Sequence, residues 1–155
     1  MITHDYLLSK YSYDETTGVF SKIDSTDKVG FNDSGYTRIE INGKAYYAHR
    51  LAWLYVYGEM PKLHLDHING DKSDNRICNL REATRFENLR NTGKNIKNTS
   101  GAKNVYLHKP SGKWQVRIAL DGKSKHLGLF DDFELADLVA VEARSKYHGQ
   151  FARSI

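Results

Sequence analysis

Asp66 and His67 are adjacent, and Asn79 and Asn88 follow them in a single polar-rich segment, 65–88. These residue types suit hydrolysis of a phosphodiester, which needs an activated water and a cation to stabilise charge on the phosphorane and the leaving oxygen. His67 is suited to be the base, since an imidazole takes a proton near neutral pH. Asp66 and the amide oxygen of Asn88 are hard donors, suited to Mg2+ or a similar divalent ion such as Mn2+. Asn79 is placed to bridge loop backbone and hold His67, which would fix the imidazole tautomer. An Asp-His pair alone means little, and a lone histidine is more often structural; the case rests on all these positions together. His64 shares the face of Asp66 in a regular strand and is a weaker candidate for metal or phosphate. Arg76, Arg81, Arg85 and Arg90 could reach flanking phosphates, although Arg76 could equally pin the loop at Asp74-Asn75.

Elements must bring these groups together. Leu63-His-Leu-Asp-His-Ile68 reads as a short strand ending in the turn Asn69-Gly70-Asp71, and Ile77-Cys-Asn-Leu80 as the returning segment. Neighbouring residues on a regular strand face opposite ways, so Asp66 and His67 serve one phosphate only if the strand ends or distorts there. Asn69-Gly70 supplies the means. Thr84-Arg-Phe-Glu87 has the form of a capping box, predicting a helix through about Asn91. Upstream, 19–48 reads as antiparallel strands, with Asn42-Gly43 as the strongest hairpin signal. His49-Arg-Leu-Ala-Trp-Leu-Tyr-Val-Tyr57 places Leu51, Leu54 and Tyr55 at helical spacing before Gly58 and Pro61. His49 and Arg50 are expected to pack or hydrogen-bond locally, and Cys78 to be a small buried filler.

The pattern Asp-His-x-x-Gly-Asp-x-x-Asp-Asn-Arg-x-x-Asn-Leu-Arg-x-x-Thr-x-x-Glu-Asn, with its His49-Arg-Leu-Ala-Trp lead-in, resembles the HNH nucleases of the ββα-metal type. The nearest subgroup is the homing-type endonucleases of phages and introns. The resemblance implies that His67 is the general base, that Asp66 and Asn88 bind the metal, and that Asn79 is the structural middle residue. Asn88 stands where many relatives carry a final histidine, which favours Mg2+ over zinc.

Beyond 90 the composition changes. Residues 91–103 hold no acidic and almost no apolar side chains and read as a linker. Strands are expected at 104–108, 113–120 and 123–130, with a helix from about Asp132 to Tyr147. Leu135, Leu138 and Val139 share one face of that helix, as do Ala136, Ala140 and Ala143. Trp114, Val116 and Ile118 should pack on the helix, leaving Gln115, Arg117 and Ala119 outward with Tyr106, His108, Ser124 and His126 beside them. The module is similar to the ethylene-response-factor DNA-binding fold, on the Lys113-Trp strand, the Leu127-Gly-Leu-Phe strand and the closing His148-Gly-Gln-Phe-Ala; Asn104 departs from the usual glycine. Such a sheet enters the major groove, with Arg or Gln reading base edges and Lys holding phosphates.

Charge supports a polyanion partner. Residues 1–48 carry a net −2, residues 49–90 +1 and residues 91–155 +5, within a total of +4. From 94 to 126 eight Lys/Arg face only Asp121. A solvated basic face is the plain reading of such a run; beside the other features it points to double-stranded DNA. The expected contacts are Arg76, Arg81, Arg90, Lys94, Lys97, Lys103, Tyr106, His108, Lys109, Gln115, Arg117, Lys125 and His126.

With 155 residues the chain suits one or two small domains. The expected architecture is α+β: a ββα-metal HNH finger (63–91) inside a domain spanning 1–90 with a β-rich and helical lead-in, then the linker 91–103. A three-stranded antiparallel sheet packed on one helix follows (104–155). One cysteine excludes an internal disulfide framework. No run of about 20 apolar residues suggests a membrane span, and no signal pattern opens the chain. The expectation is therefore a cytoplasmic protein, in the bacterial host if phage-encoded, acting as a monomer or a DNA-induced dimer. Two alternatives remain: a DNA-binding regulator whose finger has lost activity, and a less selective nuclease for degradation, packaging or restriction.

Overall fold

The computed structural model of the protein describes residues 2–153. The chain divides after Thr84 into two compact units. The fold is mixed α+β, built among the described residues from small antiparallel sheets and four α-helices.

The first unit opens with α1 (His4–Lys10), which the sequence patterning did not reveal. Its start is set by Thr3, whose hydroxyl accepts from the Tyr6 amide, with Asp5 in the first turn and Lys10 in the last. Strands β1 (Tyr11–Asp14), β2 (Val19–Lys22) and β3 (Lys28–Val29) make one antiparallel sheet. A second sheet holds β4 (Phe31–Asp33), β5 (Tyr36–Ile41) and β6 (Lys44–Tyr47). Asn42 and Gly43 both have positive φ, 52° and 72°, which is the two-residue turn that matches strand twist and closes the β5–β6 hairpin.

Helix α2 (Ala48–Tyr57) follows directly, burying Ala48, His49, Leu51, Ala52 and Leu54. These pack with Leu7, Tyr11, Tyr13, Phe20, Ile39, Ile41 and Leu80 into one core. Each large side chain so buried contributes about 1.5–3 kcal/mol. Aromatic rings supply much of the volume, with Tyr13, Phe20 and Tyr55 in mutual contact at 4.8–6.0 Å. Against this core lies a two-stranded ribbon, β7 (His64–His67) and β8 (Leu80–Ala83), joined by a loop and a short 3-10 turn, Ile77–Asn79.

The second unit begins with α3 (Arg85–Arg90) and contains β9 (Val105–His108), β10 (Lys113–Leu120), β11 (Lys123–Phe130) and α4 (Phe133–His148). The sheet order is β11-β10-β9, fully antiparallel. Asp121 and Gly122 repeat the positive-φ turn, at 47° and 81°. Asp132 caps α4 by accepting from the Leu135 amide at 2.7 Å. Val105, Val116, Ala136 and Ala140 form the core, and Trp114 meets Phe133 edge-on at 4.9 Å. Small side chains on α4 at i, i+4 and i+7 let the helix lie close on the sheet. The two faces of α4 therefore separate sharply: Ala136, Ala140 and Ala143 are buried, while Leu135 and Leu138 are exposed.

Residues 98–105 are held by hydrogen bonds. The side-chain Oδ1 of Asn98 accepts from the Ser100 and Gly101 amides, Ser100 Oγ donates to the Val105 carbonyl at 2.7 Å, and Ala102 is buried in the core. None of the helices among the described residues is long and apolar enough to cross a membrane.

Candidate active site

Strand β7 ends at His67, and the backbone turns at once. The Gly70 amide donates to the His67 carbonyl at 2.8 Å, and the Ile68 amide to the Asn79 carbonyl at 2.9 Å. The strand thus stops at the Asp66-His67 pair, and both side chains are buried, 4% and 5% exposed.

Asn79 stitches the loop shut. Its side-chain oxygen accepts from the Asn69 amide at 3.0 Å; its NH2 group donates to Asn69 Oδ1 at 3.0 Å and to the Asp74 carbonyl at 2.9 Å. The loop is tied further by Asn69 Nδ2 donating to Asp74 Oδ2 and by Asp71 accepting from both the amide and the hydroxyl of Ser73. Arg76 lies along Asp74 with two bonds, at 2.8 and 2.6 Å. That guanidinium keeps the Asp74 carboxyl well below the usual range, at about 2. Arg76, expected among the DNA contacts, is committed to pinning the loop.

Arg81 likewise belongs to the site. It stands opposite Asp66 in the β7–β8 register; its Nε donates to Asp66 Oδ2 at 2.8 Å, and its Nη2 forms an ion pair with the same oxygen at 2.7 Å. A planar guanidinium pre-orients a carboxylate better than a lysine would. One hydrogen bond and one ion pair converge on a single oxygen and orient the Asp66 side chain.

The His67 ring is surrounded by side chains from far in the sequence. His49 of α2 meets it edge-on at 5.0 Å, and Tyr36 of β5 lies at 6.0 Å. Asn75 Oδ1 is 3.5 Å from His67 Nε2. Burial holds the His67 imidazole below its ordinary range, against the pull of Asn75 and of the Asp66, Asp74 and Asp71 carboxylates. A neutral imidazole is the form that accepts a proton. Asn75 is 2% exposed, and its carbonyl accepts from the Tyr13 hydroxyl at 2.7 Å. Sequence reasoning missed Tyr13, Tyr36 and His49 because nothing local ties them to residue 67. Asn75 stands inside the Asp74-Asn75-Arg76 run, so that signal was available.

Asn88 stands on α3, in the second unit, and is half-buried. Asp66 and Asn88 offer carboxylate and amide oxygens, a donor chemistry that fits Mg2+ or Mn2+ and not a thiolate-seeking ion. Among the described residues no three His, Cys, Asp or Glu side chains gather into a cage. His64 is exposed and paired in register with Ala83. Cys78, expected to be buried, is exposed, because the 3-10 turn points it away from the core while Asn79 goes inward.

In the second unit the outer face of the sheet carries Gln115, Arg117, Tyr106 and His126. Arg117 lies over the Tyr106 ring at 4.8 Å, and Gln115 Nε2 is 3.2 Å from His126 Nδ1. His108 Nδ1 is 2.7 Å from the Ser111 hydroxyl, and Lys97 and Lys109 are exposed. Other expected contacts have internal partners. Lys103 Nζ donates to the carbonyls of Arg90, Thr92 and Arg153, and burial beside Arg144 lowers its pKa to about 8. Lys94 Nζ donates to the Gly101 carbonyl, and Arg90 pairs with Asp121 at 2.6 Å. Lys125 pairs in register with buried Ile118, and so projects on the helix side, where its ammonium reaches the Tyr147 hydroxyl at 3.1 Å. Each of these four cations satisfies a partner within the unit.

Comparison with known proteins gives three findings. Residues 46–90 match the family model described as HNH endonuclease. Protein 3.8 of Escherichia phage T7 is 34% identical over 113 residues, which span 71% of this chain and 91% of that protein. The solved structure titled "DNA binding and cleavage by the HNH homing endonuclease I-HmuI" aligns over 90% of this chain and 85% of its own, at 23% identity and a TM-score of 0.44.

Proposed function

The chain belongs to the HNH endonuclease family, and from that premise we propose that it is a metal-dependent, homing-type DNA endonuclease with His67 as general base. The observation that supports this most is the buried Asp66–His67 pair at the end of β7, held by a loop that Asn79 ties at three points. His67, kept neutral by burial, takes the proton from the attacking water. Asp66, oriented by Arg81, would hold the divalent cation, with the Asn88 amide oxygen as the second donor that the sequence motif implies. Bound there, Mg2+ or Mn2+ would neutralise charge on the phosphorane and the departing 3′ oxygen. Asn79 keeps the loop from rotating the base away.

The second unit serves as an ethylene-response-factor-type DNA-binding module, its outer sheet face against the double helix. Arg117, stiffened by Tyr106, and the Gln115–His126 pair are the base-facing groups; Lys97 and Lys109 contact phosphates. One catalytic histidine per chain makes nicking the expected outcome. Because Lys94, Lys103 and Lys125 are engaged internally, contact with DNA is lighter than the charge total suggests, which favours a looser sequence preference.

The test is conversion of supercoiled plasmid to open circle with Mg2+, beside EDTA and His67→Ala controls. Cleavage by the wild type alone supports the reading, whereas His67→Ala cutting as fast as wild type removes His67 as base.

A further inference from the structure

An imidazole does not fix its own rotation. The terminal torsion of histidine is broad and roughly two-fold, so a turned ring puts Cδ2 where Nδ1 was and Cε1 where Nε2 was at little cost. A histidine that must present one chosen nitrogen to a water needs contacts that hold its plane. Asn75 Oδ1 lies 3.5 Å from His67 Nε2, at the limit of a hydrogen bond. Packed rings restrain the plane of an imidazole in a different way, by shape.

One such ring belongs to another histidine. His49 is 7% exposed and meets the His67 ring edge-on, centroids 5.0 Å apart and planes at 78°. Its own plane is fixed in turn: it stacks on Tyr47 at 5.3 Å and 26°, and Tyr36 lies 5.6 Å away. Tyr36 also touches His67, at 6.0 Å, so two rings from different elements, α2 and β5, bracket the imidazole. Outside this bracket Arg38 lies over Tyr47 at 4.9 Å and Lys72 over Tyr36 at 4.8 Å. The four rings form one continuous packed group, and its innermost edge is the face of His67. Edge-to-face packing is directional, so a planar ring at 49 restrains the rotation of His67 in a way that an aliphatic side chain of similar bulk does not.

We propose that His49 is a positioning residue for the general base, acting through its ring plane to hold the His67 imidazole in one rotational state. This inference rests on His67 being the base. It predicts that planarity at position 49 governs the rate of the bound complex and leaves DNA affinity alone.

The experiment compares wild type, His49→Phe, His49→Leu and His67→Ala in the full chain, with Mn2+ or Mg2+ and supercoiled plasmid. Cleavage is followed under single-turnover conditions, DNA affinity by gel shift, and folding by circular dichroism melts. His49→Leu is expected to bind DNA as wild type does and to cut on the order of 10–100-fold more slowly, since small misplacements of a reacting group carry such losses. His49→Phe should stay within about threefold of wild type by the same reasoning. Ring-nitrogen spectra of His67 should show one tautomer in wild type and His49→Phe, and averaging in His49→Leu. The proposal is overturned if the two variants cut alike, both fast or both slow, at temperatures where both are folded. A distinct result, His67→Ala cutting as well as wild type, removes the assignment of the base itself.

Discussion

Arg81 closes on the Asp66 carboxylate across the β7–β8 ribbon, Nε at 2.8 Å and Nη2 at 2.7 Å from a single oxygen. The side chains are 15% and 4% exposed, so this is a buried pair, and removing one member leaves an uncompensated charge.

Arg81→Met is accordingly expected to lower stability by about 3–5 kcal/mol. A divalent cation can replace the lost guanidinium as counter-charge to Asp66. Added Mg2+ should therefore raise the melting temperature of Arg81→Met more than that of wild type, as read by thermal shift with and without EDTA. Equal shifts in the two proteins would separate Asp66 from the metal.

Asn79 makes three bonds that no other side chain duplicates. Asn79→Ala should lose about 1–3 kcal/mol through unsatisfied loop groups and cut at least about tenfold more slowly through a misplaced base. Hydrogen exchange at the Asn69 amide, its direct partner, should quicken more than exchange in β10. Unchanged exchange there would show that the loop keeps its shape without Asn79.

Gly18 reaches the same loop from the first hairpin. Its φ is +72°, and a Cβ there would lie 2.5 Å from the Arg76 nitrogen and 2.6 Å from the Asn75 carbonyl carbon. Both are backbone atoms that cannot swing aside. Gly18→Ala combines left-handed strain, about 1–3 kcal/mol, with displacement of the loop, so stability and cleavage should fall together. A variant with native melting temperature and lower cleavage would contradict that coupling.

Acid stability should report on His49. Burial, then the neighbouring His67 and Arg50, lower its pKa from 6.5 to about 3; Tyr36 and Tyr47 are the other titratable side chains packed against its ring. Between those values the unfolded chain binds a proton that the folded chain does not. The contribution is full above pH 6.5 and is lost as pH falls toward 3, amounting to a few kcal/mol. His67, shifted the same way, adds to the slope. Denaturant melts of His49→Phe should show a shallower loss of stability across that interval than wild type. Parallel curves would mean that His49 is protonated in the folded protein.

The placement of Asp66, His67 and Asn79 was legible in the sequence because it is local: strand, turn and returning segment lie within a few residues of one another. The strands 113–120 and 123–130 were legible for the same reason, as alternation and an Asp-Gly turn fix them. What could not be read is long-range. Tyr36 and His49 reach His67 only through the packing of β5 and α2, and no spacing encodes that meeting. Charges misled in a related way. Arg81, Lys103 and Lys125 look like phosphate ligands in a basic chain, and only the fold shows that each faces an internal oxygen. In α4 two apolar stripes were visible, and the sheet accepts the alanine stripe because close approach needs small side chains.

Cys78 is the single thiol of the chain and lies exposed on the 3-10 turn, one residue before Asn79. A thiol-specific dye or spin label can therefore be attached at one defined point of the ββα finger without mutagenesis. Its backbone is continuous with the segment that Asn79 ties down, so such a reporter would sense ordering of the catalytic loop in real time as DNA or a cation is added. The protein thus carries a built-in attachment point beside the proposed active site.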